Sequence, residues 1–306
     1  MDIGLMIEGQ NGLTWDRWSR ILQTAENKGF KHVFRSDHYT DASGPYLESL
    51  ECWTSLTYAA TASQTIEFGS LVSPITFRQP ALLARMAAAV SDLSGGRVIL
   101  GVGAGWQDRE HHNFGIPFYD FPTRFAMLNE GLEVIVRLLR SDDPVNYEGK
   151  YFSLHDAILL ARPKHRVPIL IGGNGSTRTL PLAARFADEW NGVFIDANTY
   201  KEKNELLSKL CEAIARNPAD IKRSLMTQVR YFRDQAELDA AGKSLDELRG
   251  GGRIIAGTAS QVIEQIEAYA TFGCERIMLQ WLDLDDIERI EHMADAILPH
   301  FHTHHS

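Results

Sequence analysis

Cysteine is scarce in this 306-residue chain. Cys52, Cys211 and Cys274 stand far apart, which excludes a disulfide framework and a zinc knuckle and leaves buried thiols as the plain reading. No apolar run approaches the roughly 20 residues that span a bilayer. The first residues lack the basic and apolar regions of a secretory leader, so the chain reads as cytoplasmic. Basic blocks are also absent: the net charge is −9 and the pI about 5.7, which argues against nucleic-acid and anionic-membrane partners. There is no low-complexity block and no repeat of fixed period. Metal signatures are missing too. The first apolar run, "GLMIEG", has no His-x-His, and the adjacent His111 and His112 would diverge by about 100° on a helix. A glycosidase would need two carboxylates at strand ends. Glu8 could supply one and Glu110 is the best second, but the seventh run offers no partner.

What remains is alternation. Short apolar runs at residues 3–8, 32–37, 66–73, 97–105, 167–176, 189–195, 224–232 and 276–281 each precede an amphipathic stretch. The first such stretch opens at Thr14, a good N-cap, and stops at Gly29, with Trp15, Trp18, Ile21, Leu22 and Ala25 at core spacing. Pro80 suits the first turn of the third helix, and residues 125–139 form the fourth. Eight strands returned by eight helices predict a (β/α)8 barrel, taken as one domain over residues 1–301. Two segments break the rhythm: residues 142–160, with alternating aromatics that suit a hairpin, and residues 234–257, polar and glycine-rich, read as a mobile or excursion segment. The histidine-rich tail, 302–306, reads as a solvated end.

In such barrels the site lies at the carboxyl ends of the strands. There the second run ends "RSDHY", placing Asp37 and His38 where proton chemistry is done. The third ends "LVSPITFRQP", mostly wall, with hydroxyls at Ser73 and Thr76. The fourth, "VILGVGAGWQDREHH", carries Gly101, Gly103 and Gly105 in alternation, so one side of the strand is cleared for a ligand or for another stretch of backbone. After the fifth, "IGGNGS" precedes a helix expected to start near Thr177. It is a candidate phosphate cradle with Arg178 close by, yet neither a P-loop nor a dinucleotide fingerprint.

Together, "SDHY", "LVSPITFRQP", "SGGRVILGVGAGWQDREHHNFGI", "RFAMLNEGLEVIVRLL" and "PILIGGNGSTRTLPLAARFADEWN" resemble the bacterial-luciferase-like superfamily, over nearly the whole chain. Within it the chain looks most like oxidoreductases that use the deazaflavin coenzyme F420. The resemblance implies hydride transfer between that cofactor and a small organic substrate. It also implies a ring seated against Leu71, Val72, Ser73, Gly103, Gly105 and Trp106, and a phosphate on Gly172, Gly173, Asn174, Gly175 and Ser176. A non-proline cis peptide would join Leu71 and Val72. His38 matches the histidine over the active ring face in the sugar-phosphate dehydrogenase branch. That branch has an acidic residue where this chain has Trp106, so Asp108, Glu110 and His111 become candidates for its role, beside Asp37. The alternatives are an FMN-dependent monooxygenase of the same fold and, from another class, a cofactor-less binding barrel. A homodimer through the second and third helices is the implied assembly.

Overall fold

The structure is a computed structural model and describes residues 1–160 and 162–302, so the tail expected at 302–306 lies, after His302, outside the described residues. The chain opens β1 (Asp2–Ile7), α1 (Trp15–Lys28), β2 (His32–Arg35), α2 (Cys52–Ala62), β3 (Glu67–Ser70), β4 (Ser73–Pro74), α3 (Pro80–Ser94) and β5 (Val98–Gly103). Then follow α4 (Asp108–Asn113), α5 (Phe121–Arg140), β6 (Val145–Glu148), β7 (Ser153–Ala157), β8 (Ile169–Gly172), α6 (Thr179–Phe186) and β9 (Glu189–Val193). It ends with α7 (Ala197–Ala213), β10 (Lys222–Tyr231), α8 (Gln235–Ala240), α9 (Leu245–Arg249), β11 (Ile255–Gly257), α10 (Ala259–Thr271), β12 (Arg276–Trp281) and α11 (Ile287–His302).

Strands β1, β2, β3, β5, β8, β9, β10 and β12 pair in that order, all parallel, and β12 returns to β1, which closes the eight-stranded (β/α)8 barrel. Local chemistry sets each helix. The Thr14 hydroxyl accepts from the Arg17 amide, and Gly29 ends α1 at φ 83°. Trp18, Ile21, Leu22 and Ala25 bury their side chains under α1. Trp15 does not join them. It is 46% exposed and meets Tyr58 of α2 edge-on, because it sits at the first turn, beyond the sheet face. Helix α5 begins four residues before the expected Phe125, since Asp120 caps the Thr123 amide and Pro122 occupies the first turn.

Residues 142–160 hold the antiparallel hairpin β6–β7. The segment expected to be an excursion at 234–257 is more ordered than its composition implies. Ser244 and Glu247 form a capping box on α9, and β11 pairs in parallel with the end of β10. The third apolar run is interrupted: β3 ends at Ser70, and Leu71–Val72, joined by a cis peptide, bulges out before β4 resumes against β5. Outside the barrel a continuous apolar layer separates sheet from helices. Inside it, Met6, Phe34, Ile99, Leu170 and Met278 fill the centre.

Candidate active site

A cavity of about 650 Å³ opens at the carboxyl ends of the strands. It is the size of a cofactor-and-substrate pocket. His38, just past β2, lines it. The Nδ1 atom of His38 lies 2.9 Å from Glu110 Oε1, and the Tyr39 amide donates to Glu110 Oε2 at 2.9 Å. Glu110 is buried on α4, a helix absent from the sequence reading. Burial draws the His38 pKa down. The Glu110 hydrogen bond and charge, with Glu8 and Asp37 farther off, outweigh that and leave it raised above the ordinary 6.5. With Nδ1 committed to Glu110, Nε2 is the atom available to a ligand. Trp106, 65% exposed, meets the His38 ring edge-on at 5.5 Å and borders the cavity mouth.

Asp37 and His111 stand elsewhere. Asp37 accepts two bonds from Arg78, at 2.9 and 2.6 Å, and one from Ser73 Oγ, which itself accepts from Trp53 Nε1. That buried relay ties β2, the bulge and α2 together, and neither Asp37 nor Ser73 lines the cavity. His111 is fully buried between the Gln107 carbonyl at 2.7 Å and Thr76 Oγ1 at 2.8 Å, so it buckles α4 to the segment after β4. Asp108 is exposed on the outer side of α4, beside Arg109 and His112.

The glycine pattern left two causes open, a ligand or another stretch of the chain, and the structure shows the chain itself in close approach. A Cβ on Gly101 would lie 2.0 Å from the Ser70 carbonyl oxygen, and one on Gly103 would lie 2.5 Å from a Val72 methyl. One on Gly105, at φ +73°, would lie 2.6 Å from Thr76 Oγ1. At Gly101 and Gly103 the side chains are missing to admit the chain's own bulge, and at Gly105 to admit Pro74 and Thr76 just beyond it. Leu71 and Val72 then form cavity wall together with Gly103 and Gly105.

Past β8, Gly172 and Gly173 line the cavity. Asn174 holds the turn to β9 through two bonds with the Val193 backbone, at 2.7 and 3.0 Å. A Cβ on Gly175 would lie 2.9 Å from Thr179 Oγ1. Ser176 Oγ accepts from Lys203 Nζ at 2.7 Å, which brings a cation to the turn. Helix α6 begins at Thr179, two residues later than expected.

Arg124 escaped the sequence reading, and Glu8 was weighed there only as a glycosidase carboxylate; both line the cavity. Arg124 on α5 is 9% exposed and lies over the Phe118 ring at 4.1 Å. Its Nε has no hydrogen-bond partner, and no carboxylate lies within ion-pair distance among the described residues. Burial disfavours its charge, which an anion in the cavity would restore. Glu8 accepts from Gln10 at 2.9 Å and from Gln280 at 2.5 Å. Arg124 sits in an amphipathic helix, where an arginine reads as solvated. Only its place in the first turn, beside the aromatic run Phe118, Tyr119 and Phe121, could have singled it out.

Comparisons with known proteins bear on family and fold. The luciferase-like monooxygenase family matches residues 1–241. An F420-dependent glucose-6-phosphate dehydrogenase of Microbacterium testaceum is 32% identical over 311 residues, spanning 90% of each chain. The enzyme of that name from Amycolatopsis mediterranei is 32% identical over 219 residues, spanning 69% of this chain and 63% of that one. An F420-dependent secondary alcohol dehydrogenase solved with an F420–acetone adduct superposes with a TM-score of 0.84 at 21% identity, over 97% of this chain and 98% of that one, a likeness of fold. An oxidoreductase barrel with a cavity at its carboxyl end is thus what sequence, structure and relatives describe, and the chain belongs to the luciferase-like monooxygenase family.

Proposed function

We propose that this chain is an F420-dependent oxidoreductase that exchanges a hydride with a small organic substrate in the cavity. One observation carries the reading: a histidine braced by a buried carboxylate and an unpaired buried guanidinium open into the same pocket. The residues present suit such a cofactor. Arg124 and the turn of Gly172, Gly173, Asn174, Gly175 and Ser176, with Lys203 beside it, supply positive charge and amides for an anionic arm. Leu71, Val72 and Gly103 offer an apolar wall for a flat ring. When bound, F420 supplies a ring carbon that gives or takes the hydride. His38 Nε2 gives or takes the substrate's proton, and Glu110 fixes the ring's orientation and stabilises the imidazolium. Trp106 shields the mouth from water. Asp37 and His111 act through position, holding the bulge and α4 in place.

The family description includes monooxygenases, and the same residues would hold FMN. Titration of the purified protein with each cofactor separates the two. F420 is expected to bind, and its absorbance to change under argon with substrate. Tight FMN binding with oxygen consumption would overturn the choice, and binding of neither would return the chain to a cofactor-less barrel.

We also infer a homodimer through α2 and α3, supported by exposed Tyr58, Leu82 and Leu93 on those helices. A cytoplasmic location is supported by three buried free thiols. Among the described residues no helix is long and apolar enough to cross a membrane.

A further inference from the structure

Glu8 follows β1 and lines the cavity, yet the proposed proton chemistry does not use it. Each of its oxygens is met by a primary amide. Gln10 and Gln280, both 8% exposed, donate to Oε2 and Oε1. The Gln10 amide is itself oriented: Ser36 Oγ donates 2.7 Å to its Oε1, which turns the NH2 toward Glu8, and the Gly9 amide holds Ser36 Oγ at 3.0 Å. No lysine or arginine stands within ion-pair distance of Glu8 among the described residues; its hydrogen bonds come from neutral amides, and the ionisable group its charge acts on is His38. Two donors leave further lone pairs on the carboxylate. Met6, Met226 and Leu282, from β1, from β10 and from just past β12, line the same cavity. Arg124, the one lysine or arginine that lines the cavity among the described residues, belongs to α5. That helix connects β5 to β8, and in the strand order those strands lie across the barrel from β1. The cavity is therefore polarised, with a cationic side and, opposite it, an apolar side carrying one braced carboxylate.

We propose that Glu8 is a specificity-determining residue that selects a compact apolar alcohol or amine and rejects phosphorylated or carboxylated substrates. The inference rests on the reading that cofactor and substrate share this cavity, with the anionic arm of the cofactor on the Arg124 side. A substrate O–H or N–H donates to Glu8. An anionic group there meets a like charge whose amide neighbours are already committed, no lysine or arginine among the described residues lines that side, and His38 is already engaged by Glu110.

The test uses the F420-loaded full chain and calorimetric titration with cyclohexanol, cyclohexylamine and cyclohexyl phosphate. Cofactor loading is measured first, so a protein that takes up no F420 counts against the parent reading and not against Glu8. In the loaded protein, cyclohexanol and cyclohexylamine are expected to bind and cyclohexyl phosphate to bind at least about tenfold more weakly. E8Q keeps the shape and removes the charge. It should weaken cyclohexylamine about tenfold and narrow its advantage over the phosphate, while E8D, which keeps the charge, retains the ranking. Equal binding of the phosphate and the alcohol, a ranking unmoved by E8Q, or a loaded protein that binds no member of the series would each overturn the proposal.

Discussion

His32 and His38 lie six residues apart, at the two ends of one barrel strand, and their surroundings drive them in opposite directions. His32 starts β2 at the closed end. It is fully buried, with Nε2 3.1 Å from the Ile277 carbonyl and no partner on Nδ1 among the described residues. Burial first, then the charges of Arg276 and Lys222, push its pKa well below 6.5. His38 follows the same strand at the open end, where Glu110, Glu8 and Asp37 overcome burial and raise it. The closed end pairs its charges with one another: Arg276 bonds Glu189 at 3.1 Å and also Glu67, and Lys222 bonds Asp2 at 2.9 Å. The open end leaves Arg124 and Glu8 without an ion-pair partner among the described residues. Both ends bury charged side chains, so burial alone does not mark the site. What differs is whether the charges are closed off against each other or turned toward an empty volume.

The largest expected effect tests the open end. H38A removes the proton carrier and should lower turnover about 10²–10⁴-fold, or about 3–5 kcal/mol, while F420 affinity survives. Steady-state kinetics beside a cofactor titration reads both, and unchanged turnover would take His38 out of the chemistry. E110Q sharpens the point. It keeps an acceptor for Nδ1 but removes the charge that raises His38, so the His38 limb of the pH–rate profile should move to lower pH.

At the closed end the expected loss is of stability. R276A leaves Glu189 buried without its cation, at a cost of about 3–5 kcal/mol in denaturant unfolding. Folded R276A should bind F420 as the parent does; a large loss of affinity at preserved stability would show that the two ends are not separable. R124M reverses that pattern. A buried charge with no partner adds little to stability, but its removal should weaken F420 binding about 10-fold or more, one charged hydrogen bond's worth. A change in stability with no change in affinity would assign Arg124 to packing on Phe118.

The barrel was legible in the sequence because alternating apolar runs and capped helices are local signals, as at Thr14 and Gly29. The location of the site followed from the barrel. What local signals could not carry was the partner of each polar group. Asp37 and His38 are neighbours in the chain, yet Asp37 faces Arg78, 41 residues on, and His38 faces Glu110, 72 residues on. Glu110 and His111 are neighbours too, and on α4 they diverge, one to His38 and the other to Thr76. The glycines of β5 announced a close approach, but that Val72 and the Ser70 carbonyl fill the space depends on the bulge at Leu71–Val72, expected from family resemblance alone.

The smallest expected effect is the most direct reading of the two histidines. Unfolded, both titrate near the ordinary 6.5. Below that value, down to the depressed pKa of folded His32, the unfolded chain holds a proton that the native state refuses, so this site makes stability rise with pH. Above it, up to the raised pKa of folded His38, the native state holds a proton that the unfolded chain has lost, and this site makes stability fall with pH. Each slope is at most about 1.4 kcal/mol per pH unit, and the His38 slope is the smaller because its pKa moves less far from 6.5 than that of His32. Urea midpoints between about pH 5 and 8 should therefore show H32Q flattening the acid side and H38Q the alkaline side. The slope, not the absolute stability, carries the test, because either substitution also changes packing. If both variants flattened the same side, the two ends of β2 would share one electrostatic environment, and the distinction between a closed and an open end would rest on shape alone.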